Sequence, residues 1–167
     1  MKFYRISIQA LPVALALLLC SCWAYSFSSS GLSGVNSIAI VKIDNNTPEY
    51  GLEDMLIQKI NSAFESDHTL KVVPISQADL LIMATISRYS RDTYIADQTE
   101  AAKEYKCTIT LNIKIYHAKD DKVLWEDGSL TDFGTYSPDD GDSQDNGDER
   151  AVDKLIIEIM NRTVRDW

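Results

Sequence analysis

The segment YKCTITLNIKIY, residues 105–116, decides the fold of this chain. Its odd positions are apolar: Tyr105, Cys107, Ile109, Leu111, Ile113 and Ile115. Its even positions are mostly polar: Lys106, Thr108, Thr110, Asn112 and Lys114. This period of two predicts a long central β-strand with one buried face. Because a sheet with one apolar face needs a second layer to cover it, the rest of the chain has to supply that layer.

Two segments have the apolar spacing of helices that could cover the sheet. The first follows Thr47, a predicted N-cap, and Pro48, a predicted first helical residue. Its stripe consists of Leu52, Met55, Leu56, Ile60, Ala63 and Phe64. The second is predicted over residues 149–167, with a stripe of Val152, Leu155, Ile156, Ile159, Met160, Thr163 and Val164. We expect both stripes to pack on the same face of the sheet.

Four further segments predict the other strands. Residues 37–43 are apolar on both sides, so they should lie inside the sheet, and residues 70–74 should pair with them in parallel. Residues 79–91 should join the central strand through a loop over residues 92–103, and residues 123–133 should return antiparallel with a bulge at Gly128. The predicted fold class is α+β: a two-layer α/β sandwich whose mixed four- to five-stranded sheet carries two helices on one face.

The hairpin between the third strand and the central strand decides which side chains stay uncovered. Pairing the apolar sides places Leu80, Ile82, Ala84 and Ile86 with the odd residues of the central strand. Thr85, Ser87, Tyr89 and Arg91 then lie beside the polar row, although one register lets Glu104 neutralise Arg91. This side is either a plain solvated face or a contact surface. The candidate contact residues are Tyr89, Arg91, Lys106, Thr108, Thr110 and Lys114.

The first residues have the composition of an export signal. Lys2 and Arg5 precede an apolar run over residues 6–19, which is shorter than the roughly 20 residues that a bilayer-spanning helix needs. The run ends in Leu19-Cys20-Ser21-Cys22, which looks like a bacterial lipobox and predicts acylation of Cys22. The alternatives are an ordinary cleaved signal or an uncleaved anchor. We predict a lipoprotein signal peptide over residues 1–21, a lipidated tether over 22–34 and a single domain over 35–167.

Charge limits the classes of partner. The net charge is -9, and it moves to -11 without residues 1–21, because that segment carries Lys2 and Arg5 and no acid. With no basic stripe, the chain is not expected to bind nucleic acid. Residues 139–149, DDGDSQDNGDE, predict a solvated, flexible loop. The weaker alternative is a calcium loop, whose ligands would come from Asp142, Gln144, Asn146, Gly147 and Asp153.

Catalytic motifs are weak in this sequence. The chain has two histidines, His68 and His117, and neither is accompanied by a motif for a Ser or Cys nucleophile. Cys107 is the thiol that remains after processing, and we predict that it is a small buried apolar residue. The sequence therefore predicts binding and not catalysis, with no cofactor and no metal.

With these elements in place, the chain resembles the LptE family of lipopolysaccharide-assembly lipoproteins. The likeness extends over nearly all of the predicted mature chain and rests on the order and spacing of short segments. They are CWAYSF (22–27), NNTPE (45–49), GLE (51–53), AD (78–79), EYKCTITLN (104–112), VLWE (123–126), NRTV (161–164) and the last residue, Trp167.

The resemblance implies an LptE-like α/β domain that is tethered in the outer membrane by acyl chains on Cys22. It further implies that the domain lies on the periplasmic side or within the lumen of an LptD-like β-barrel and helps to deliver lipopolysaccharide to the outer leaflet. The six candidate residues of the uncovered face would then contact the barrel or lipopolysaccharide. The competing hypothesis is an outer-membrane lipoprotein of similar fold that serves as a periplasmic activator or secretion component.

Overall fold

In the computed structural model, which describes residues 34–96 and 102–165, five strands form one mixed sheet in the order β2-β1-β3-β4-β5. The strands are β1 (Ser37–Asn45), β2 (Lys71–Val72), β3 (Leu80–Ala96), β4 (Ala102–His117) and β5 (Val123–Tyr136). β1 pairs in parallel with β2 and β3, whereas β3, β4 and β5 are antiparallel neighbours. The parallel pairing of β2 and the inner position of β1 are as predicted.

Two helices cover one face of this sheet, α1 (Leu52–Asp67) and α2 (Gln144–Met160), and α2 continues as one π-helical turn over Asn161–Arg165. The predicted stripes face the sheet, since Leu56, Ile60, Leu155 and Ile159 are buried in one core. The odd positions of β4 from Cys107 to Ile115 are buried in the same interior. The predicted fold class is therefore confirmed, including the placement of both helices on one face. Neither helix of the part of the chain described here is long and apolar enough to cross a bilayer.

The first helix begins later than the sequence predicts. Thr47 and Pro48 lie in a turn that the Asn45 side chain organises: its amide donates to the Glu49 carbonyl oxygen at 2.6 Å, and its oxygen accepts from the Thr47 backbone N–H at 2.9 Å. Gly51 then adopts φ 82°, a left-handed conformation that glycine reaches without strain. Helical geometry starts only at Leu52, so the predicted start at Pro48 is wrong.

The second helix begins earlier than predicted, inside the acidic segment. Ser143 is the N-cap and accepts a hydrogen bond from the Asn146 backbone N–H, so helical structure starts at Gln144 and not at Glu149. The predicted loop is thus confined to the residues before Gln144, where Asp142 accepts from Arg150 at 2.6 Å. Gln144, Asn146, Gly147 and Asp153 are helical, an arrangement that does not form a calcium-binding loop.

The hairpin strands extend further than predicted. β3 continues to Ala96 and β4 starts at Ala102, so residues 92–96 belong to the sheet and not to a loop. On β5, Gly128 and Ser129 lie opposite the single residue Asn112, which confirms the predicted bulge. The signal peptide, most of the tether with Cys22, and residues 97–101 of the predicted hairpin loop lie outside the described residues.

The helix α2 approaches β5 closely at two glycines, Gly147 of the helix and Gly134 of the strand. A side chain at Gly134 would overlap the Gly147 carbonyl oxygen and the Ala151 backbone nitrogen, and one at Gly147 would meet the Tyr136 ring at 2.9 Å. At this end of the sheet, the helix backbone therefore lies directly on the strand backbone.

Candidate binding face of the sheet

A β-bulge at Ser87 divides β3 into two parts. Before it, the register is as predicted: Ile82 lies opposite Ile115, and Ile86 lies opposite Leu111. Beyond it, Arg88 is opposite Thr110, so Ser87 is an extra residue on β3. Because one extra residue reverses the facing of the residues that follow, Tyr89, Arg91 and Thr93 turn towards the helices, up to the next register shift near Tyr94.

The bulge moves Tyr89 and Arg91 to the covered face, and their predicted placement on the uncovered face is wrong. Tyr89 lies opposite Ile109 and Arg91 opposite Cys107, whereas Glu104 lies opposite Ile95 and not opposite Arg91. The suggested neutralisation of Arg91 by Glu104 is therefore also wrong. The structure brings both residues to the N-terminal end of α2, away from the other four candidates.

Tyr89 and Arg91 belong to a polar network between β3 and α2. The Tyr89 hydroxyl donates to Asp148 at 2.9 Å, and Gln144 donates to Tyr89 at 3.1 Å. Arg91 donates to the Gln144 side-chain oxygen at 2.6 Å, and Gln144 donates in turn to Glu49 at 3.0 Å. Asp148 is 3% exposed, so the bond from the Tyr89 hydroxyl satisfies a carboxylate that would otherwise be costly to bury.

Burial also determines the protonation of two groups beside this carboxylate. Burial, followed by the contacts with Cys107 and Asp148, raises the pKa of the Tyr89 hydroxyl well above its usual range. Burial raises the pKa of the Cys107 thiol to about 12. The thiol is buried and stays protonated at neutral pH, which confirms the prediction that Cys107 is a small buried residue.

The side of β3, β4 and β5 that faces away from the helices is termed the open face. Lys106, Thr108, Thr110 and Lys114 lie on it as predicted, because their odd-numbered neighbours are buried beneath α1 and α2. The Thr131 hydroxyl of β5 donates to the Thr110 hydroxyl at 3.0 Å and joins the neighbouring strands. Hydroxyl groups therefore form the middle of this face, between Lys106 and Lys114.

Aromatic rings hold the two lysines of the open face. The Lys106 ammonium group lies 5.4 Å from the Phe133 ring centroid and 5.9 Å from that of Tyr94. The Lys114 ammonium group lies 5.4 Å from the Tyr116 ring centroid. Cation–π contacts position these amines without neutralising them. The sequence analysis does not include Tyr94 and Phe133 among the candidate residues, because residue 94 lies in the predicted loop over residues 92–103 and Phe133 ends the predicted last strand.

The open face is less acidic than the chain as a whole. No carboxylate among residues 34–96 and 102–165 forms an ion pair with Lys106 or Lys114, although Lys42 and Asp44 of β1 pair at 2.8 Å. A concavity of about 380 Å³ lies between these groups, and its lining includes Lys42, Met83, Asn112, Lys114 and Glu126. Asp92 lies opposite Lys106 and Glu126 lies opposite Lys114, without an ion pair in either case. Ammonium and hydroxyl groups on one surface suit an anionic, hydroxyl-rich ligand or a polar protein surface.

Neither histidine belongs to the row of candidate residues on the open face. His68 follows α1 as its C-cap residue with φ 61°, and His117 ends β4. Among the residues that the structure describes, no group of His, Cys, Asp and Glu side chains has the arrangement of a metal site.

The chain matches the family model LptE, described as lipopolysaccharide-assembly, over residues 35–166. This protein belongs to the LptE family. Membership confirms the resemblance and makes the chain a lipopolysaccharide-assembly lipoprotein of the cell envelope. The role of the LptE family is assembly, which agrees with the prediction of a binding protein. A comparison of the sequence with curated proteins gives no match.

Solved structures show how widely the fold of this LptE member occurs. A protein from Xanthomonas campestris is 20% identical, with a TM-score of 0.56 over 77% of this chain and 83% of its own. A hypothetical protein from Chlamydia trachomatis is 7% identical, with a TM-score of 0.55 over 79% of this chain and 99% of its own. PelC from Paraburkholderia phytofirmans, a dodecamer, is 11% identical, with a TM-score of 0.52 over 80% of this chain and 90% of its own. At these identities the likeness concerns the fold.

Proposed function

We propose that this LptE member is anchored in the outer membrane through acylated Cys22, associates with an LptD-like β-barrel, and contributes its open face to the transfer of lipopolysaccharide to the outer leaflet. The domain then lies on the periplasmic side or within the barrel lumen. The observation that carries the proposal is the uncovered row of Lys106, Thr108, Thr110 and Lys114, in a chain of net charge -9 that belongs to a lipopolysaccharide-assembly family.

The chemistry of the row supports this role. Lipopolysaccharide presents phosphates and sugar hydroxyls, and an ammonium group forms strong charge-assisted hydrogen bonds with phosphate. The threonines supply hydroxyls that both donate and accept, and they match either sugars or the polar wall of a barrel. Tyr94 is 51% exposed and Phe133 is 37% exposed, so this end of the face also offers aromatic surface, which is common at protein interfaces. Tyr89 and Arg91 support this face from behind and do not contribute side chains to it.

The test replaces Lys106 and Lys114 together with Glu in the full chain and measures lipopolysaccharide binding and co-purification with the barrel. The matched control replaces Lys119 and Lys122 with Glu, because these exposed lysines lie in and beside the turn between β4 and β5 and give the same change of charge. We expect both readouts to fall at least tenfold in the first variant and to stay near the wild-type level in the control. Equal behaviour of the two folded variants would refute the role of the open face.

The anchoring part of the proposal is tested separately. At least two acyl chains are needed for stable attachment to a membrane. Cys22→Ala should therefore leave the protein unprocessed or release it from the membrane fraction. Recovery of a mature, outer-membrane form of this variant would show that Cys22 is not the anchor. Co-purification with a cell-wall synthase or an inner-membrane complex in place of the barrel would favour the activator or secretion role.

A further inference from the structure

The outer side of β3 beyond the bulge, from Arg88 to Ala96, is termed the distal edge. β1 pairs with β3 only as far as Ile86, where the Asn46 backbone N–H donates to the Ile86 carbonyl oxygen at 2.9 Å. The chain then turns away into α1. Residues Arg88 to Thr93 pair with Thr110 to Tyr105 of β4 without a register shift. No strand among residues 34–96 and 102–165 pairs with the other side of this run.

The opposite edge of the same sheet is closed by the protein itself. The outer strand there is β5, and two side chains of α2 reach across to its backbone carbonyls. Arg150 donates to the Thr135 carbonyl oxygen at 2.7 Å, and Lys154 donates to the Phe133 carbonyl oxygen at 2.7 Å. Side chains therefore satisfy backbone groups on the β5 edge, and the described part of the chain provides no such cover for the distal edge.

The outer side of β1 is protected in another way. β2 pairs with Ser37 and Ile38, and the register then shifts between Ile40 and Lys42, so that Val41 is an extra residue. A bulge and a lysine are two devices by which edge strands avoid further pairing. Between Arg88 and Thr93 the distal edge has no bulge, lysine or proline, whereas bulges at Ser87 and near Tyr94 limit a paired strand to this run.

Charge on the distal edge limits what can pair with it. Arg88 lies on the open face and Arg91 on the covered face, three residues apart along the strand, and the one acid of this run, Asp92, lies opposite Lys106 on the open face. No carboxylate of the described residues forms an ion pair with either arginine: Arg91 contacts the Gln144 amide and the Tyr105 ring instead. Two arginines without carboxylate partners, in a chain of net charge -9, favour an acidic partner and disfavour another basic strand.

We propose that the distal edge binds an extended acidic segment of a partner polypeptide, which adds to the sheet as a strand beside β3. Backbone hydrogen bonds to β3 supply the attachment. Because residues directly opposite each other point to the same face, carboxylates three positions apart on the partner lie opposite Arg88 and Arg91. Ile95, half-exposed near the end of the edge, offers apolar contact. This inference does not depend on the lipopolysaccharide role of the open face.

The experiment uses the full chain and a synthetic ten-residue peptide of threonine and valine with two glutamates three residues apart. Fluorescence anisotropy of the labelled peptide measures affinity, and amide hydrogen exchange locates the binding site. A second peptide has lysines in place of the glutamates. A third keeps the glutamates and carries N-methyl groups on alternate residues, which removes the backbone donors that pairing needs.

We expect the glutamate peptide to bind and to slow exchange at Tyr89, Arg91 or Thr93. The lysine peptide and the N-methylated peptide should each bind at least tenfold more weakly. Arg88→Gln with Arg91→Gln should also reduce affinity at least tenfold, whereas Arg165→Gln, which removes an exposed arginine at the end of the π-helical turn, should not. Arg88→Gln alone serves as a second variant that leaves the Gln144 network intact.

Three results would overturn the proposal. They are absence of binding at millimolar peptide, equal binding of the N-methylated peptide, and unchanged affinity in the folded arginine variants. Lipopolysaccharide binding measured on the same variants keeps this result separate from the test of the open face. Arg91→Gln, which changes a residue of the covered face, is expected to leave lipopolysaccharide binding unchanged, and loss of that binding in the Lys106 and Lys114 variant does not bear on the distal edge.

Discussion

The two parts of β3 on either side of Ser87 are held in place by different forces. From Leu80 to Ile86 the strand has neighbours on both sides, and its even residues are buried in an aliphatic core. From Arg88 to Ala96 it has β4 on one side, and its attachment to the helix layer depends on the Tyr89 hydroxyl and the Arg91 guanidinium. Apolar burial stabilises without directional demands, whereas the polar network requires each partner to be in place.

This difference shows how one residue changes the chemistry of a sheet. The bulge turns Tyr89 and Arg91 towards the helices, where Tyr89 bonds to the buried Asp148 and Arg91 bonds to Gln144. If the same sequence paired with β4 without a bulge, Arg88 and Ser90 would lie on the covered face in place of Tyr89 and Arg91. Beyond Ser87, the side of β3 that faces the helices is therefore polar, although the strand itself continues without a break.

Insertion of one alanine between Arg88 and Tyr89 is the most drastic way to break this comparison. The added residue turns Tyr89 to the open face and leaves Asp148 buried without its hydroxyl donor. We expect a loss of unfolding free energy of more than about 4 kcal/mol, or a failure to fold. Urea denaturation measures the loss, and amide exchange should show greater damage between Arg88 and Ala96 than between Leu80 and Ile86. Deletion of Ser87 is the control, because it removes the bulge and keeps Tyr89 opposite Ile109. Wild-type exchange in both parts of the insertion variant would show that the facing of Tyr89 does not hold the far part of β3.

The aliphatic core is tested on α2 with two isoleucines. Ile159 is 1% exposed and Ile157 is 60% exposed, so they form a matched pair on one helix. Ile159→Ala should lower the unfolding free energy by about 2 to 5 kcal/mol through lost transfer energy and a cavity. Ile157→Ala should change it by less than about 0.5 kcal/mol. Equal midpoints for the two variants in urea would contradict the assigned helix face.

The polar network is tested by removing one oxygen atom. Tyr89→Phe keeps the ring but leaves the buried Asp148 carboxylate without this donor, at an expected cost of about 1 to 3 kcal/mol in thermal or urea unfolding. Tyr94→Phe is the matched control, because Tyr94 is 51% exposed. If both changes prove neutral, the network does not hold the far part of β3 to α2.

The ion pair at the start of α2 gives the smallest expected effect, and it depends on pH. The Arg150 guanidinium, assisted by Asn146, lowers the pKa of Asp142 to about 2. Because the folded pKa lies below the ordinary value near 3.8, the pair stabilises the fold above that value and loses its effect as the pH falls towards 2. Asp142→Asn, which removes the titrating charge and keeps the Arg150 bond to Thr135, should therefore reduce stability slightly at pH 6 and leave it nearly unchanged near pH 2. An equal difference at both pH values would exclude the ion pair as its cause.

The sequence was sufficient to predict the layers of this fold but not the facing of its longest strand. The alternation from Tyr105 to Tyr116 and the helical stripes depend on local spacing, and they determine the core. Beyond the bulge, the Tyr89 hydroxyl bonds to Asp148, which lies 59 residues away in the sequence, so no local pattern shows this partner. One signal was present: the spacing from Ile86 to Tyr89 is three residues, which breaks the alternation of the preceding strand.

The candidate site was likewise predictable only where it depends on local alternation. Lys106, Thr108, Thr110 and Lys114 follow from the alternation of β4 alone, and they lie on the open face. Tyr89 and Arg91 depended on an uninterrupted register, which the bulge removes. The helix starts were missed because they are set by single residues, the left-handed Gly51 and the capping Ser143, whose geometry is not evident from composition.

The contact between Gly134 and Gly147 gives the sandwich a taper. Where the helix backbone lies on the strand backbone, the two layers leave little height for side chains, and towards Ile159 the gap admits large aliphatic groups. The thiol of Cys107 and the methyl group of Ala151 suit the low end. A bulky residue at either glycine would act as a wedge and tilt α2 as a rigid rod about its far end. The slope of the helix across the sheet is thus set by two positions that have no side chain.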